Sequence, residues 1–232
     1  MDERENRLLI TGWMRDWGGK ASTSREQKKG INLHPLILPA EGSGRTLALA
    51  WWWLHVGGVP AKFQAFNSRD DALATKWKGP FQHRALIPLD WYSEGGKRWA
   101  LPDGQLFAIA AITSPRRNAD GSETISYSMV TRHGIGEAAS VISSRGESRM
   151  PLILPREMHD EWLDPDRHGN ASLVAEAQEA SVALSQAVVV SESQRNTFSR
   201  RSLWQFHGIN AASRIQCCSQ ARQHKQQRNT ST

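Results

Sequence analysis

Apolar residues in this chain gather in short runs more often than they recur at helical intervals. Residues 36–38, 46–54, 84–89, 106–112, 126–131 and 152–154 are apolar stretches set off by turn-forming or polar neighbours, which predicts strands. The run 46–54 is apolar at consecutive positions, so both of its faces are expected to be buried. Helix is predicted over 70–78, over 156–163 and over an alanine-rich stretch from about 172 to 187. Strands in the middle with scattered helices predict an α+β fold: a mixed, largely antiparallel, barrel-like β-sheet with peripheral helices. After about Val190 the chain turns to Ser, Gln, Arg and Asn, too polar to offset the entropy of ordering. Three regions are therefore expected: a variable N-terminal segment 1–30, a folded domain 31–190, and a basic, disordered tail 191–232.

Composition fits this division. The chain has 232 residues, 39% hydrophobic and 22% charged, enough for one domain and a tail. No apolar run approaches the roughly 20 residues of a membrane span. Met1-Asp2-Glu3-Arg4-Glu5 leads into only Leu8, Leu9 and Ile10, so no signal peptide is expected. A cytoplasmic monomer is the resulting expectation. The two cysteines, Cys217 and Cys218, are adjacent and offer neither an easy disulfide nor zinc spacing. The eight histidines form no H-E-x-x-H, and no P-loop, Rossmann or G-x-S-x-G pattern occurs, so neither metal nor cofactor is expected.

The net charge of +6 suggests nucleic acid until its distribution is considered. From Ser191 to Thr232 stand seven basic residues and one acid, Glu192, which leaves residues 1–190 with equal numbers of each sign. A nucleic-acid site in the folded part must therefore be a local patch.

Four clusters are candidates for chemistry. Ten tryptophans include the run Trp51-Trp52-Trp53, suited to stacking on bases or, more simply, to a buried core. Asn67-Ser68-Arg69-Asp70-Asp71 precedes a helix-like stretch; Asn67 reads first as an N-cap, or as a hydrogen-bonding group at a reacting centre with Arg69 on a phosphate. Asp90-Trp91-Tyr92-Ser93-Glu94-Gly95-Gly96 sets a carboxylate beside aromatic rings, where partial dehydration suits acid–base work. Arg149, before the apolar run 152–154, fits a phosphate clamp or a structural ion pair equally well.

In order along the chain, these segments resemble the SOS-response-associated peptidase (SRAP) family. The resemblance rests on Asn67-Ser68-Arg69-Asp70-Asp71, Arg84-Ala85-Leu86-Ile87-Pro88-Leu89-Asp90-Trp91-Tyr92-Ser93-Glu94, Ala110-Ala111-Ile112, Val130-Thr131 and Arg149-Met150-Pro151-Leu152-Ile153-Leu154. Asn32-Leu33-His34-Pro35 and Trp53 add fainter matches, and the whole spans about 31–165. The resemblance implies a DNA-damage-response protein that binds single-stranded DNA at abasic sites. Its members expose an N-terminal cysteine by autoproteolysis, and that cysteine's amine and thiol trap the abasic aldehyde as a thiazolidine, a covalent protein–DNA link. By the same resemblance, catalytic roles fall to Glu94 as acid–base, Asn67 as positioning group and Glu147, where the family has His (Ser148 if the register slips by one). DNA contacts fall to Arg69, Lys76, Lys78, Arg149 and Trp53. This sequence carries Asp2 where the family has Cys and no cysteine before Cys217, so covalent capture is not expected of it as written. Trp91 replaces the family's Gly, and Gly95 its Trp. Two rivals remain: a non-catalytic, single-stranded-DNA-binding SRAP domain, and an interaction module keeping only the fold.

Overall fold

In the computed structural model, residues 33–40, 44–117, 119, 121, 123–143 and 146–191 are described, with Thr11, Gly12 and Arg15. Asp2, Asn32, the N-terminal segment 1–30 save those three residues, the paired cysteines and the expected disorder of the tail beyond Ser191 lie outside the described residues.

The chain runs through β1 (Leu33–Ala40), β2 (Gly44–Trp52), β3 (His55–Val56), β4 (Val59–Pro60), β5 (Asn67–Arg69), β6 (Arg84–Leu89), β7 (Tyr92–Glu94), β8 (Lys97–Ala100), β9 (Phe107–Arg117), β10 (Glu123–His133), β11 (Arg149–Pro151) and β12 (Ile153–Leu154). Helices α1 (His159–Leu163), α2 (Ala171–Ala180) and α3 (Val182–Ala187) follow, then β13 (Val189–Val190). β1 and β2 form a hairpin, and Ile37 opposite Leu86 joins β1 to β6. β6 pairs with β9, and β9 with β10. β10 then runs parallel to β2, Ser126 opposite Trp51, and closes the ring. The barrel-like α+β architecture expected from the sequence is the one observed.

Closure buries both faces of the wall. Ile37, Leu86, Ala110 and Ile112 join one core cluster with Phe81, Trp162 and Leu173. Their neighbours Leu36, Ala85, Ile87, Ile109 and Ala111 join a second with Tyr127, Trp99 and Met150. Alternate side chains of a strand face opposite ways, so a strand in such a wall must be apolar on both faces, as β6 is from Ala85 to Leu89. Each large aliphatic side chain so buried contributes roughly 1.5–3 kcal/mol. The guanidinium of Arg84, only 4% exposed, donates to the carbonyls of Phe81, Trp162, Asp164 and Arg167 and so ties the end of α1 to β6.

The helix predictions need correction. Residues 70–78 form a 3-10 turn, Asp70–Ala72, then irregular turns in which the Thr75 and Trp77 amides both donate to the Ala72 carbonyl. Asp70 is drawn into the fold and accepts the amide of Asp71, so the first turn winds tightly around its carboxylate. The stretch 172–187 breaks at Ser181, whose hydroxyl donates to the Gln178 carbonyl and accepts from Arg132. Asn170 caps α2, its side chain accepting from the Leu173 amide at 3.0 Å. That cap fixes the helix whose Gln178 reaches the candidate site.

Candidate functional site

β5 is too short and polar to announce itself, yet it enters the sheet parallel to β10 with Asn67 opposite Met129 and Arg69 opposite Thr131. On the same stretch of β10, β11 places Arg149 opposite His133. Paired residues share a face, so Asn67, Arg69, His133 and Arg149 project from one side of this ribbon. Ser68 and Val130 face the other way and are fully buried, and Ser68 bonds the Ser128 hydroxyl at 2.7 Å. Asn67 is thus a strand residue. The N-cap position of the following turn is Arg69, which makes no side-chain capping bond, so the capping expectation for Asn67 does not hold.

The charges on this face are paired off. Arg149 donates to Asp70 at 3.2 Å and to the Thr131 carbonyl at 2.7 Å. Asp70, its side chain 6% exposed, also accepts from Gln178 at 2.7 Å. Of the two readings of Arg149, the ion pair is the one formed. Arg69 grips Asp71 through two nitrogens at 2.6 and 3.0 Å, and its third meets Glu147 at 3.1 Å. The hydrogen bond and charge of Asp71, then Glu147, strengthen Arg69's hold on its proton. In turn Arg69 holds the Asp71 carboxyl below its usual range. Two arginines stand against three carboxylates, so a phosphate reaching Arg69 must displace one of them. On this face Asn67 Oδ1 and Arg149 Nε are buried with no hydrogen-bond partner among the described residues.

Glu94 sits apart from the ribbon, in a three-stranded sheet with β8 and β13. The expectation of a dehydrated carboxylate is not met, because Glu94 is exposed at the tip of the β7–β8 hairpin. Its aromatic neighbours are engaged elsewhere. Tyr92 stacks on Trp99 with centroids 6.3 Å apart, and Trp91 lies under the Arg98 guanidinium at 4.6 Å. Burial, then the charge of Glu94, pushes the Tyr92 phenol up. The hairpin nonetheless leans on the loop that carries Glu147. Gly95 adopts φ +59°, and a Cβ there would stand 2.6 Å from Val141, so only glycine fits. From Val141 that loop folds back through the Ile142–Ser148 bridge and the Ser143 amide to the Glu147 carbonyl at 2.9 Å.

The remaining predicted residues are elsewhere. Trp53 packs its ring on Phe66 at 5.6 Å and donates to the Ala61 carbonyl at 3.0 Å. Lys76 and Lys78 are exposed on the segment after β5, with Lys76 poised over the rings of Phe63 and Trp77. The structure thus brings together Asn67, Arg69, Glu147 and Arg149, sets Glu94 on the separate β7–β8 hairpin, and leaves the lysines and Trp53 outside the cluster. Sequence reasoning missed the organising pair Asp70 and Gln178; the doubled Asp70-Asp71 was its only trace. Among the described residues, no group of three or more His, Cys, Asp or Glu side chains is placed to hold a metal, and no helix is long and apolar enough to cross a membrane. Chemically, the ribbon offers an open buried acceptor beside guanidinium groups.

Residues 20–194 match the family model described as SOS response associated peptidase (SRAP). No curated protein matches the chain. Among solved structures, a Bordetella bronchiseptica protein is 19% identical with a TM-score of 0.54, covering 78% of this chain and 93% of its own. A Bacteroides thetaiotaomicron protein is 20% identical with a TM-score of 0.47, over 73% of this chain and 82% of that one. A phage-related Bordetella bronchiseptica protein is also 20% identical, with a TM-score of 0.49 over 71% and 79%.

Proposed function

Since the chain belongs to the SOS response associated peptidase family, we propose that the face bearing Asn67, Arg69, Glu147 and Arg149 binds single-stranded DNA at abasic sites. The observation that carries this reading is the buried Asn67 Oδ1, which has no donor among the described residues. An unsatisfied buried acceptor costs about 1–3 kcal/mol, so an incoming donor has something to gain there. The ring-closed abasic sugar carries a hydroxyl at the carbon that has lost its base, and it can supply that donor. An intact nucleotide presents a base at that carbon and has no such hydroxyl. Arg69 supplies the phosphate contact once Glu147 swings aside, and Glu94 on the β7–β8 hairpin serves as the proton carrier of the family's chemistry.

Covalent capture and autoproteolysis belong to the proposal only for a chain that presents an N-terminal cysteine. A primary amine condenses with the abasic aldehyde, releasing water, and a neighbouring thiol then adds across the C=N bond to close the ring. A protein made with the N-terminus Met1-Asp2 has the amine without the thiol and reaches only the reversible imine. The second reading, a binding or interaction module without chemistry, is favoured by one observation, the carboxylates that occupy Arg69.

The test compares a short abasic oligonucleotide with its undamaged counterpart by fluorescence anisotropy at fixed salt. Tighter binding of the abasic strand is expected, with no denaturation-resistant adduct unless borohydride is added. Equal binding of the two strands would overturn the lesion assignment, and absence of binding would leave the interaction-module reading.

A further inference from the structure

Beside the ribbon, the chain that leads into and out of β5 builds a second feature. His55, Val56, Gly57, Phe63, Lys76, Trp77, Pro80 and Ser114 line a cleft of about 310 Å³. Its character is the reverse of the ribbon's, since no carboxylate lines it. Phe63 is 45% exposed, and its ring meets that of Trp77 at 5.9 Å and 44°. The Lys76 ammonium lies 4.7 Å from the centre of Phe63 and 4.8 Å from that of Trp77, and it makes no ion pair among the described residues. His55 is 8% exposed, and its Nε2 has no partner among the described residues. Its backbone amide donates to the Ser126 hydroxyl at 2.9 Å, and Trp51 abuts its ring edge-on at 4.6 Å. Burial, then the charge of Arg116, lowers the affinity of this imidazole for a second proton. It therefore meets a ligand neutral, able to donate or accept one hydrogen bond.

We propose that this cleft is a base-stacking subsite for single-stranded DNA, Phe63 providing the stacking face, His55 Nε2 a hydrogen bond to the base edge, and Lys76 the contact to the adjoining phosphate. An exposed phenylalanine alone is ordinary. An exposed ring, a cation with no anion and an unpartnered buried nitrogen around one cavity are what a planar base with a phosphate attached would satisfy. A base entering the cleft replaces the ammonium over Phe63, and Lys76 turns on its flexible stem to the phosphate. Lys62, Lys78 and Arg116 lie next along the chain and extend the basic character, Arg116 being held by the Gly58 carbonyl. The assignment rests on the single-stranded DNA reading above and extends it: the segment from Phe63 to Lys76 carries cleft residues at its ends and Asn67 and Arg69 between them.

The experiment uses the full chain and short single strands carrying 2-aminopurine at successive positions. One position near the lesion is expected to change its fluorescence on binding. Phe63→Ala should abolish that change and weaken binding about fivefold to a hundredfold. Lys76→Ala should lower the slope of log affinity against log salt by about one, with Lys76→Arg restoring it. A free deoxynucleoside monophosphate should compete only at concentrations far above those of the strand. Wild-type binding that Phe63→Ala leaves unchanged would overturn the cleft alone, whereas failure of the wild type to bind any single strand would overturn the DNA reading with it. Competition by the mononucleotide at strand concentrations would overturn the strand as occupant.

Discussion

The ribbon around β5 and the cleft around Phe63 both carry cations, and they hold them in opposite ways. On the ribbon Arg149 is locked to the buried Asp70, and Arg69 is shared between Asp71 and Glu147. In the cleft Lys76 rests on two rings with no carboxylate in the lining. The first arrangement fastens chain segments to one another: β5, β10, β11 and α2 meet at Asp70 through Arg149, Thr131 and Gln178. The second fastens nothing and leaves a charge to spend on a ligand. Basic residues therefore do not by themselves mark a binding surface; whether their partners come from the same chain decides the matter.

Truncating Asp70 gives the largest expected effect. Asp70→Ala leaves Arg149 uncompensated in a poorly hydrated place, which should cost about 3–5 kcal/mol. Thermal unfolding should shift down by roughly 10 °C or more for a domain of this size. Phe63→Ala, at a half-exposed position, should cost about 1 kcal/mol or less in the same assay. If the two variants melted alike, the contrast between a fastening site and an open one would fail.

Acid should separate the two regions next. His34 sits against Tyr127 with its pKa lowered to about 4 by burial, and His55 is shifted the same way. Both stay neutral in the native state while the unfolded chain takes up protons near the ordinary histidine value. Stability should therefore fall as pH drops from about 7 toward 4, at up to roughly 1 kcal/mol per pH unit for each such group. Asp71, held low by Arg69, contributes stability above the ordinary carboxylate value and loses it only as pH falls through its own depressed one. Denaturant titrations across this range should find His34→Asn flatter than wild type between pH 6.5 and 4.5, whatever its absolute stability. An identical slope would remove the histidine from the account.

The smallest effect expected is at Glu147. Its contact with Arg69 is half exposed, so it contributes little to folding. Glu147→Gln should leave melting nearly unchanged and tighten single-stranded DNA by about twofold to fivefold, because one competitor for the guanidinium is gone. Weaker binding by this variant would mean that Glu147 contacts the ligand itself.

Much of the fold was legible because a wall buried on both faces demands uninterrupted apolar runs, as in β6 and β9. β5, β7 and β8 were not, since they are short and carry polar or charged residues, and β5 and β8 take pairing partners distant in sequence, β10 and β13. The helix expected over 70–78 failed because Asp70 is pulled toward Arg149, a partner 79 residues away that no local pattern announces. Asn67, Arg69 and Arg149 were picked out from the sequence and do share a face. Their partners Asp70 and Gln178 were not. Glu94 was expected to be dehydrated by its aromatic neighbours, yet a strand tip leaves Tyr92 packed inward and the carboxylate in water. The cleft was half visible: Lys76 was singled out, but nothing in the sequence joins it to His55.

On the proposed reading the ribbon recognises the lesion while the cleft recognises the strand. That reading is tested most directly by the ratio of affinities for abasic and undamaged single strands, measured side by side for wild type, Asn67→Ala and Phe63→Ala at one salt concentration. Wild type should prefer the abasic strand, Asn67→Ala should lose that preference, and Phe63→Ala should bind both strands more weakly with the ratio preserved. An Asn67→Ala protein that kept the wild-type ratio would contradict that reading.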